Sequence, residues 1–574
     1  VSAAAPALVR LPVWRARFVL AGLVVAFAVT AGRSLYLQAM RTDFLQEKGE
    51  ERYSRVLQIP ATRGRILDRN GEALAVSTPV QSVWAIPGDV RGSAAQLRRL
   101  AALLDVEPGE LRRKLADKTR DFVYLKRQIA PDTAARVAEL GLEGVYQHRE
   151  YRRYYPGGEV TAHVVGFTGV DGAGQEGMEL AFESSLGGAP GSRRVIKDRR
   201  GHIVEDMESI RAAQDGRDLT LSIDGKIQSL AYASLKDAVA ANRAKAGALV
   251  AIDVQTGEVL ALANAPSYNP NNRARLSGGM LRNRALTDEF EPGSTLKPFT
   301  VALALESRRI TPSTRVHIGT GGLRVANHII HDPHPETVLS VAQVIQKSSN
   351  VGAARIALAL DARDMWEMFH RAGFGEPPAL GFPGEAAGRL RPADSWRPIE
   401  QATMAFGHGI ATSLMQLAHA YTMFARDGEL VPITLLKSPQ PAVGRRVLSA
   451  RTAREIRDML ELAVQPGGTA PRARIMGWRV AGKTGTAHKQ ENGGYAADRY
   501  IASFVGLAPA SRPRVVVAVM IDEPSAGEYY GGVVAAPVFA QVARGALRAL
   551  GVPYDAPLEP LPLPGEVEEA REST

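Results

Sequence analysis

Residues 18–31 form a run of fourteen positions with no charged or strongly polar side chain. By length alone that run fits a buried helix or an export-signal core as well as a membrane span. Its flanks lengthen it. Trp14 and Tyr36 stand 22 residues apart, about 33 Å along a helix, one aromatic for each interface. Arg33 lies near one end, where a long side chain can snorkel. Arg10, Arg15 and Arg17 precede the run and no acidic residue occurs before Asp43. That asymmetry places the N-terminus in the cytoplasm and the rest of the chain outside. Ala26-Phe27-Ala28 has the form of a peptidase site, so a cleaved signal is the competing reading. The pattern favours a retained anchor at residues 18–38 behind a tail of residues 1–17.

Beyond the anchor, residues 43–53 are charged and predict a short exposed helix. Asn70-Gly71 between apolar pairs predicts a hairpin turn. Over residues 92–142 the period becomes helical, with Leu97, Leu100, Leu103 and Leu104 on one face. The basic-aromatic cluster Tyr151 to Pro156 reads as a surface loop or strand edge, since no nucleic-acid-binding motif accompanies it. Turn-rich stretches at 187–191 and 212–217 close a first module, residues 39–217. A second module, residues 218–550, opens on an apolar stretch at 219–224 and a helix at 226–242. Strand, turn and strand follow at 248–253, 255–257 and 258–262. Later strands are predicted at 478–481, 501–507 and 515–521, with a closing helix at 535–550. Strands at both ends of a long helical middle predict an α+β fold, an antiparallel sheet packed with helices. From 551 to 574 the chain is rich in proline and glutamate and reads as a disordered tail.

Composition narrows the picture only a little. With 574 residues, 45% hydrophobic and 23% charged, the chain is globular and long enough for two or three domains. The net charge of +10 is uneven: the last 24 residues carry net −5, which leaves +15 elsewhere. A basic body suits nucleic acid, anionic lipid or an acidic polymer, and charge does not choose among them. There is no cysteine, so no disulfide framework and no thiolate metal site.

The candidate chemistry lies in three short motifs. Pro292-Gly293 breaks the chain before Ser294, and the apolar run after Lys297 carries a helix inward. At i and i+3 the two side chains share a face, so the Lys297 amine can reach the Ser294 hydroxyl. Lysine can serve as base only where burial favours its neutral form. Ser-x-x-Lys alone is common. Ser348-Ser349-Asn350 follows, and then Lys483-Thr484-Gly485-Thr486 on an apparent strand. Ser-x-x-Lys, Ser-x-Asn and Lys-Thr-Gly in this order mark an acyl-transfer serine site. The Ser348 hydroxyl near Lys297 can relay a proton to a departing amine. The Asn350 carboxamide can grip a peptide bond. Thr484 and Thr486 share a strand face, where their hydroxyls can hold a carboxylate with Lys483 adding positive charge. Gly485 lets substrate lie close. Backbone amides of Ser294 and Thr486 can meet the tetrahedral oxyanion.

Two decoys weigh less. Gly477 to Thr484 also fits a phosphate-binding loop, but that loop needs a helix directly after it, and Gly485 and the later glycines argue against one. His328, His331, Asp332 and His334 invite a metal, but Pro333 and Pro335 break any helical face, so no metal site is assigned. His408, between two glycines, reads as structural or substrate-adjacent rather than as a base.

The three motifs, with Arg63-Gly64-Arg65-Ile66-Leu67-Asp68-Arg69-Asn70-Gly71, Tyr155-Pro156, Glu176-Gly177, Lys197 to Gly201 and Tyr268-Asn269-Pro270-Asn271, make the chain resemble the class B penicillin-binding proteins, most closely their division-specific branch. The resemblance runs from about residue 10 to 550. It implies a transpeptidase domain of the penicillin-binding and serine β-lactamase type on an elongated, non-catalytic N-terminal pedestal. It implies D,D-transpeptidation without a cofactor: Ser294 attacks the D-Ala-D-Ala bond of a peptidoglycan stem peptide, and a neighbouring amine then takes the acyl group. Expected partners are stem peptides, β-lactams, a membrane glycan polymerase and other division proteins, with no nucleic acid. The expected place is the bacterial inner membrane, single-pass, with a periplasmic catalytic domain. An elongation-type transpeptidase, a carboxypeptidase, and a penicillin sensor or scaffold with little turnover are the alternatives.

Overall fold

The computed structural model describes residues 12–40, 54–197, 203–274, 276–320, 322–333, 336–491, 494–560, 567 and 569–570. The helix expected at 43–53, residues 198–201 of one family motif, and His334 lie outside them. The chain forms two compact units. One gathers the described parts of residues 1–61, 82–148 and 189–215; the other gathers 62–81, 149–188 and 216–574. These two compact units are interleaved along the chain.

In the first unit, the helix Val13–Met40 contains a segment, Val13–Leu37, long and apolar enough to cross a membrane, with none of its apolar window buried. Within the uncharged run 18–31, Thr30 turns its hydroxyl back onto the carbonyls of Ala26 and Phe27 at 2.8 and 2.9 Å, which satisfies it without water. The helical region expected at 92–142 is broken in two ways. Pro108 and Pro131 start new helices, Pro108–Lys114 and Pro131–Ala138, and Val123–Ile129 is a strand. The strand buries Leu125 and Ile129 against Leu100, Leu104 and Leu111. Apolar residues two or four apart fit either period, so periodicity alone could not separate strand from helix here.

The second unit is organised by a five-stranded antiparallel sheet. Its strands are β1 (Ala246–Asp253), β2 (Val259–Ala265), β3 (Ala481–Glu491), β4 (Gly494–Ala508) and β5 (Val515–Asp522), in the order β2-β1-β5-β4-β3. The helices used below are α1 (Gly225–Ala241), α2 (Lys297–Glu306), α3 (Asn350–Leu358), α4 (Leu414–Ala425) and α5 (Ala536–Ala549). Every residue of β1 and β5 is buried, because both faces of the sheet are covered. Leu249, Ala251, Val517 and Val519 share a core with Ile227 and Leu235 of α1 and Phe539 of α5. The alternate residues Val250, Ile252, Val516 and Ala518 join Leu417 and Tyr421 of α4 in the other core. The period of two sorts each strand between the layers.

Two sequence expectations change in this unit. The strand expected at 478–481 begins at Ala481 and runs to Glu491. Trp478 precedes it and packs on Tyr554, ring centroids 4.4 Å apart, with its indole N–H on the Pro553 carbonyl at 3.0 Å. The stretch read as a disordered tail is thus docked where it is described. Asp555 accepts from the Arg479 amide at 2.7 Å, and Glu569 pairs with Arg472 at 2.7 Å. The low apolar content of the tail hid this, because aromatic stacking and charge pairs hold it rather than a core of its own.

Of the two readings of the basic-aromatic cluster, residues 151–154 follow the strand one, closing the strand Val145–Tyr154, but Arg153 and Tyr155 are buried. Arg153 is buried and meets the fully buried Glu179 at 2.7 Å, while Arg63 reaches the other Glu179 oxygen at 2.6 Å. One carboxylate thereby joins residues 62–81 to residues 149–188 of this unit. Removing Glu179 strands the buried Arg153, while Arg63 keeps its pair with Glu183 at 2.8 Å. Glu179→Ala is expected to destabilise the protein by about 3–5 kcal/mol, and urea unfolding of the purified chain measures it; a loss below 1 kcal/mol would show that Arg153 finds another partner.

Candidate active site

Gly293 stands at φ 57°, a left-handed conformation natural to glycine, and opens a 3-10 turn, Gly293–Leu296, that runs into α2. Ser294 lies in this turn and Lys297 is the first residue of α2, one step away from the simple first-turn placement expected. In a 3-10 turn residues i and i+3 eclipse, and the Lys297 Nζ donates to Ser294 Oγ at 2.9 Å. Ser294 is 4% exposed and Lys297 wholly buried. The turn is held from beneath: the Tyr421 hydroxyl of α4 donates to the Thr295 carbonyl at 2.7 Å. Phe299 packs against Phe374, Tyr421 and Phe424 at centroid distances of 5.2, 5.6 and 5.0 Å.

Ser348 precedes α3 with φ 61°, a strained conformation for a side-chain-bearing residue, costing on the order of 1–3 kcal/mol. Its oxygens face Lys297, whose Nζ donates to the Ser348 carbonyl at 2.5 Å and to its hydroxyl at 3.0 Å. Ser349 caps α3, accepting from Gly352 N at 2.8 Å. Asp332, at the foot of the hairpin Gly322–Val325 and His328–His331, reinforces that cap. Its carboxylate accepts from the amides of Asn350 and Val351 at 2.6 and 3.1 Å and from the Ser349 hydroxyl. Asp332, grouped in the sequence with possible metal ligands, therefore serves the start of the Ser-x-Asn helix. Asn350 is 7% exposed.

Lys483 comes to the same place from β3. It is wholly buried, and its Nζ donates to Ser348 Oγ at 2.9 Å and Thr484 Oγ1 at 3.1 Å. The Thr484 hydroxyl lies 2.9 Å from that of Thr469, and Thr486 Oγ1 accepts from Gly531 N at 3.0 Å. A side chain at Gly485 would meet Ser503 Oγ at 2.5 Å and the Pro292 carbonyl at 2.8 Å. Gly485 thus lets β3 approach the serine turn, a protein-side requirement that the expected substrate contact does not include. A Cβ on Gly293 would lie 3.7 Å from Thr486 N, so the amide expected in the oxyanion site adjoins the serine turn. Gly407 packs as closely, with room for no Cβ against Gly293 O at 2.2 Å.

Thr484 is followed by strand, not helix, which disposes of the phosphate-loop pattern. His408 sits 3.7 Å from Glu291, but burial, with Lys297 adding to it, lowers its pKa to about 4. The ring is neutral at pH 7, so this contact is not an ion pair. Sequence reasoning missed Asp332 as a cap, along with Tyr421, Thr469 and Glu291. Thr469 acts across 15 residues, Asp332 across 17, and Tyr421 and Glu291 across more than a hundred, and no local pattern marks such contacts.

A buried serine bonded to a buried lysine, a second serine between that lysine and another, and a Lys-Thr-Gly strand define a serine acyl-transfer site of the penicillin-recognising class. Comparison with known proteins agrees. The model of the penicillin binding protein transpeptidase domain matches residues 247–544, and that of the penicillin-binding protein dimerisation domain matches residues 58–221. The chain is 46% identical over 548 residues to the probable peptidoglycan D,D-transpeptidase PenA of Neisseria gonorrhoeae, covering 95% of this chain and 94% of that one. It is 41% identical over 549 residues to the peptidoglycan D,D-transpeptidase FtsI of Escherichia coli, covering 95% and 93%. The transpeptidase domain of Burkholderia pseudomallei penicillin-binding protein 3 superposes with a TM-score of 0.55 at 52% identity, covering 59% of this chain and 98% of that one. The chain belongs to the penicillin-binding protein transpeptidase family.

Asp332→Ala removes the second cap of α3. It is expected to cost about 1–2 kcal/mol and to slow labelling of the protein by a fluorescent penicillin; urea unfolding and labelling rates read both, and wild-type values in the two would refute the capping role.

Proposed function

We propose that this chain is a peptidoglycan D,D-transpeptidase that cross-links stem peptides at the division septum through an acyl-enzyme on Ser294. The observation that carries this reading is the Lys297 amine within bonding distance of both Ser294 Oγ and Ser348 Oγ, with Lys483 on the same Ser348 hydroxyl. A charged amine is disfavoured where it is fully buried beside a second cation, which suits Lys297 to take the Ser294 proton. Ser294 Oγ then attacks the carbonyl carbon of the D-Ala-D-Ala amide. The oxyanion meets the backbone amides of Ser294 and Thr486. Ser348 passes a proton to the departing D-alanine amine, and Asn350 holds the peptide bond of the donor. Thr484 and Thr486 hold its terminal carboxylate, with Lys483 and the close-packed Gly485 shaping that end. An amine from a neighbouring stem then attacks the ester and regenerates Ser294. A β-lactam takes the donor's place and leaves a slowly hydrolysed acyl group.

The division role rests on the family resemblance and on the name of the relative FtsI. On the same ground we assign residues 39–217 to a pedestal that meets a glycan polymerase and other division proteins. The helix at Val13–Leu37, with Arg10 ahead of it and Arg15 and Arg17 in its first turns, supports a single-pass inner-membrane anchor with the catalytic unit in the periplasm.

Mass spectrometry of the intact protein after exposure to a β-lactam is expected to show one adduct, on the peptide containing Ser294, and none in Ser294→Ala. Lys297→Arg is expected to slow acylation near neutral pH by about a hundredfold or more. Acylation of Lys297→Arg at the wild-type rate would remove Lys297 as the base, and an adduct elsewhere would remove Ser294 as the nucleophile.

A further inference from the structure

Three residues before Ser294, Glu291 is buried, 5% exposed, and one of its oxygens is used three times. Oε1 accepts from the Gly409 amide at 2.7 Å, from Gln490 Nε2 at 2.6 Å and from the Tyr495 hydroxyl at 3.2 Å. Oε2 is buried, lies 3.7 Å from His408 Nδ1, and has no hydrogen-bond partner among the described residues. A carboxylate placed for stability alone would have both oxygens satisfied, because burying one unpaired is costly.

The three donors come from two places that matter to the proposed chemistry. Gly409 belongs to the loop whose Gly407 carbonyl receives the Gly293 amide at 3.4 Å. Gln490 and Tyr495 face each other in register across β3 and β4, near the outer end of the hairpin. The root of that hairpin carries Lys483, Thr484, Gly485 and Thr486. The outer end departs from regular pairing, with a register shift between His488 and Gln490. At that shift Lys489 reaches the opposite way, to Asp522 at 2.6 Å and Glu523 at 2.7 Å. The hairpin is therefore tied on one side to the sheet and on the other, through Glu291, to the serine turn.

We propose that Glu291 is a positioning residue, a latch that holds the β3–β4 hairpin against the serine turn so that Thr486 N–H and Ser294 keep their relative place during acylation. The inference rests on the acyl-enzyme reading above. Glutamine at this position keeps the shape but loses the charge that strengthens three converging donors. The latch acts through the hairpin and touches no reacting atom.

The test uses the full-length chain and compares wild type, Glu291→Gln, Tyr495→Phe, Gln490→Ala and the double variants with Glu291→Gln. Acylation by a fluorescent penicillin is followed to saturation, and hydrogen exchange is followed peptide by peptide. In Glu291→Gln the limiting acylation rate is expected to fall about tenfold, with faster exchange confined to the β3–β4 hairpin. Tyr495→Phe and Gln490→Ala should each lower the rate less, and neither should add fully to Glu291→Gln, since all three break one network. Wild-type acylation and exchange in Glu291→Gln would overturn the latch. So would fully additive losses, or exchange raised throughout the unit, which would mark a folding defect. Where Glu291→Gln does not fold, Tyr495→Phe, which removes one hydroxyl, decides by the same two readouts. If wild-type Ser294 takes no adduct, the acyl-enzyme reading fails, while exchange of the hairpin still decides the latch.

Discussion

The second unit depends on holding one amine, that of Lys297, out of water and among oxygens. A buried ammonium is costly, and hydrogen bonds to hydroxyls and a carbonyl offset only part of that cost. The surrounding structure is arranged around the remainder. A 3-10 turn brings Ser294 under the amine, a strained Ser348 turns both its oxygens toward it, and β3 delivers a second lysine to the same hydroxyl. None of these would hold alone. The strain at Ser348 persists because α3, doubly capped by Ser349 and Asp332, starts immediately after it. The turn persists because Tyr421 and Phe299 fill the space beneath.

How closely these parts approach is set by backbone rather than by side chains. Gly407 lies against Gly293 and Gly485 against Pro292, each without room for a Cβ. These glycines bring two loops and a strand into contact across more than a hundred residues of chain. β3 is the last strand of its sheet. An edge strand is ordinarily a liability, since its outer backbone groups can pair with another chain. Here the serine turn comes against it at Pro292 and Thr295. The same position that exposes an edge to unwanted pairing makes it available to an extended substrate peptide.

Much of this was legible in the chain. The apolar strands at 246–253 and 515–522, the helices at 225–241 and 536–549, and the three motifs stand where local periodicity and residue chemistry put them. What escaped has a common physical origin. Arg153 looks like a surface cation until Glu179, from another segment, is seen to bury it. Val123–Ile129 looks helical because its spacing fits two periods. Asp332 reads as part of an ordinary loop because its partners, two amides at a helix start, carry no side-chain signature. Tyr554 looks solvated because the ring it packs on, Trp478, is far away in sequence. Long-range polar pairing and backbone acceptors leave no periodic trace, whereas apolar faces do.

Those unreadable contacts are also the ones that set the geometry. Motif residues such as Ser294, Lys297 and Lys483 state which atoms are present. Whether an amine sits 2.9 Å or 4 Å from a hydroxyl is decided by groups such as Tyr421, Asp332 and Thr469. A displacement of 1 Å is enough to change the rate of an oriented reaction about a hundredfold. The motifs can therefore stay intact while a change in the residues that hold α3 and β3 in place alters the rate greatly. In this chain the supporting groups are buried or half-buried acceptors and hydroxyls, each fixed by more than packing, and their convergence on three short segments is what makes a turn, a helix start and an edge strand act as one site.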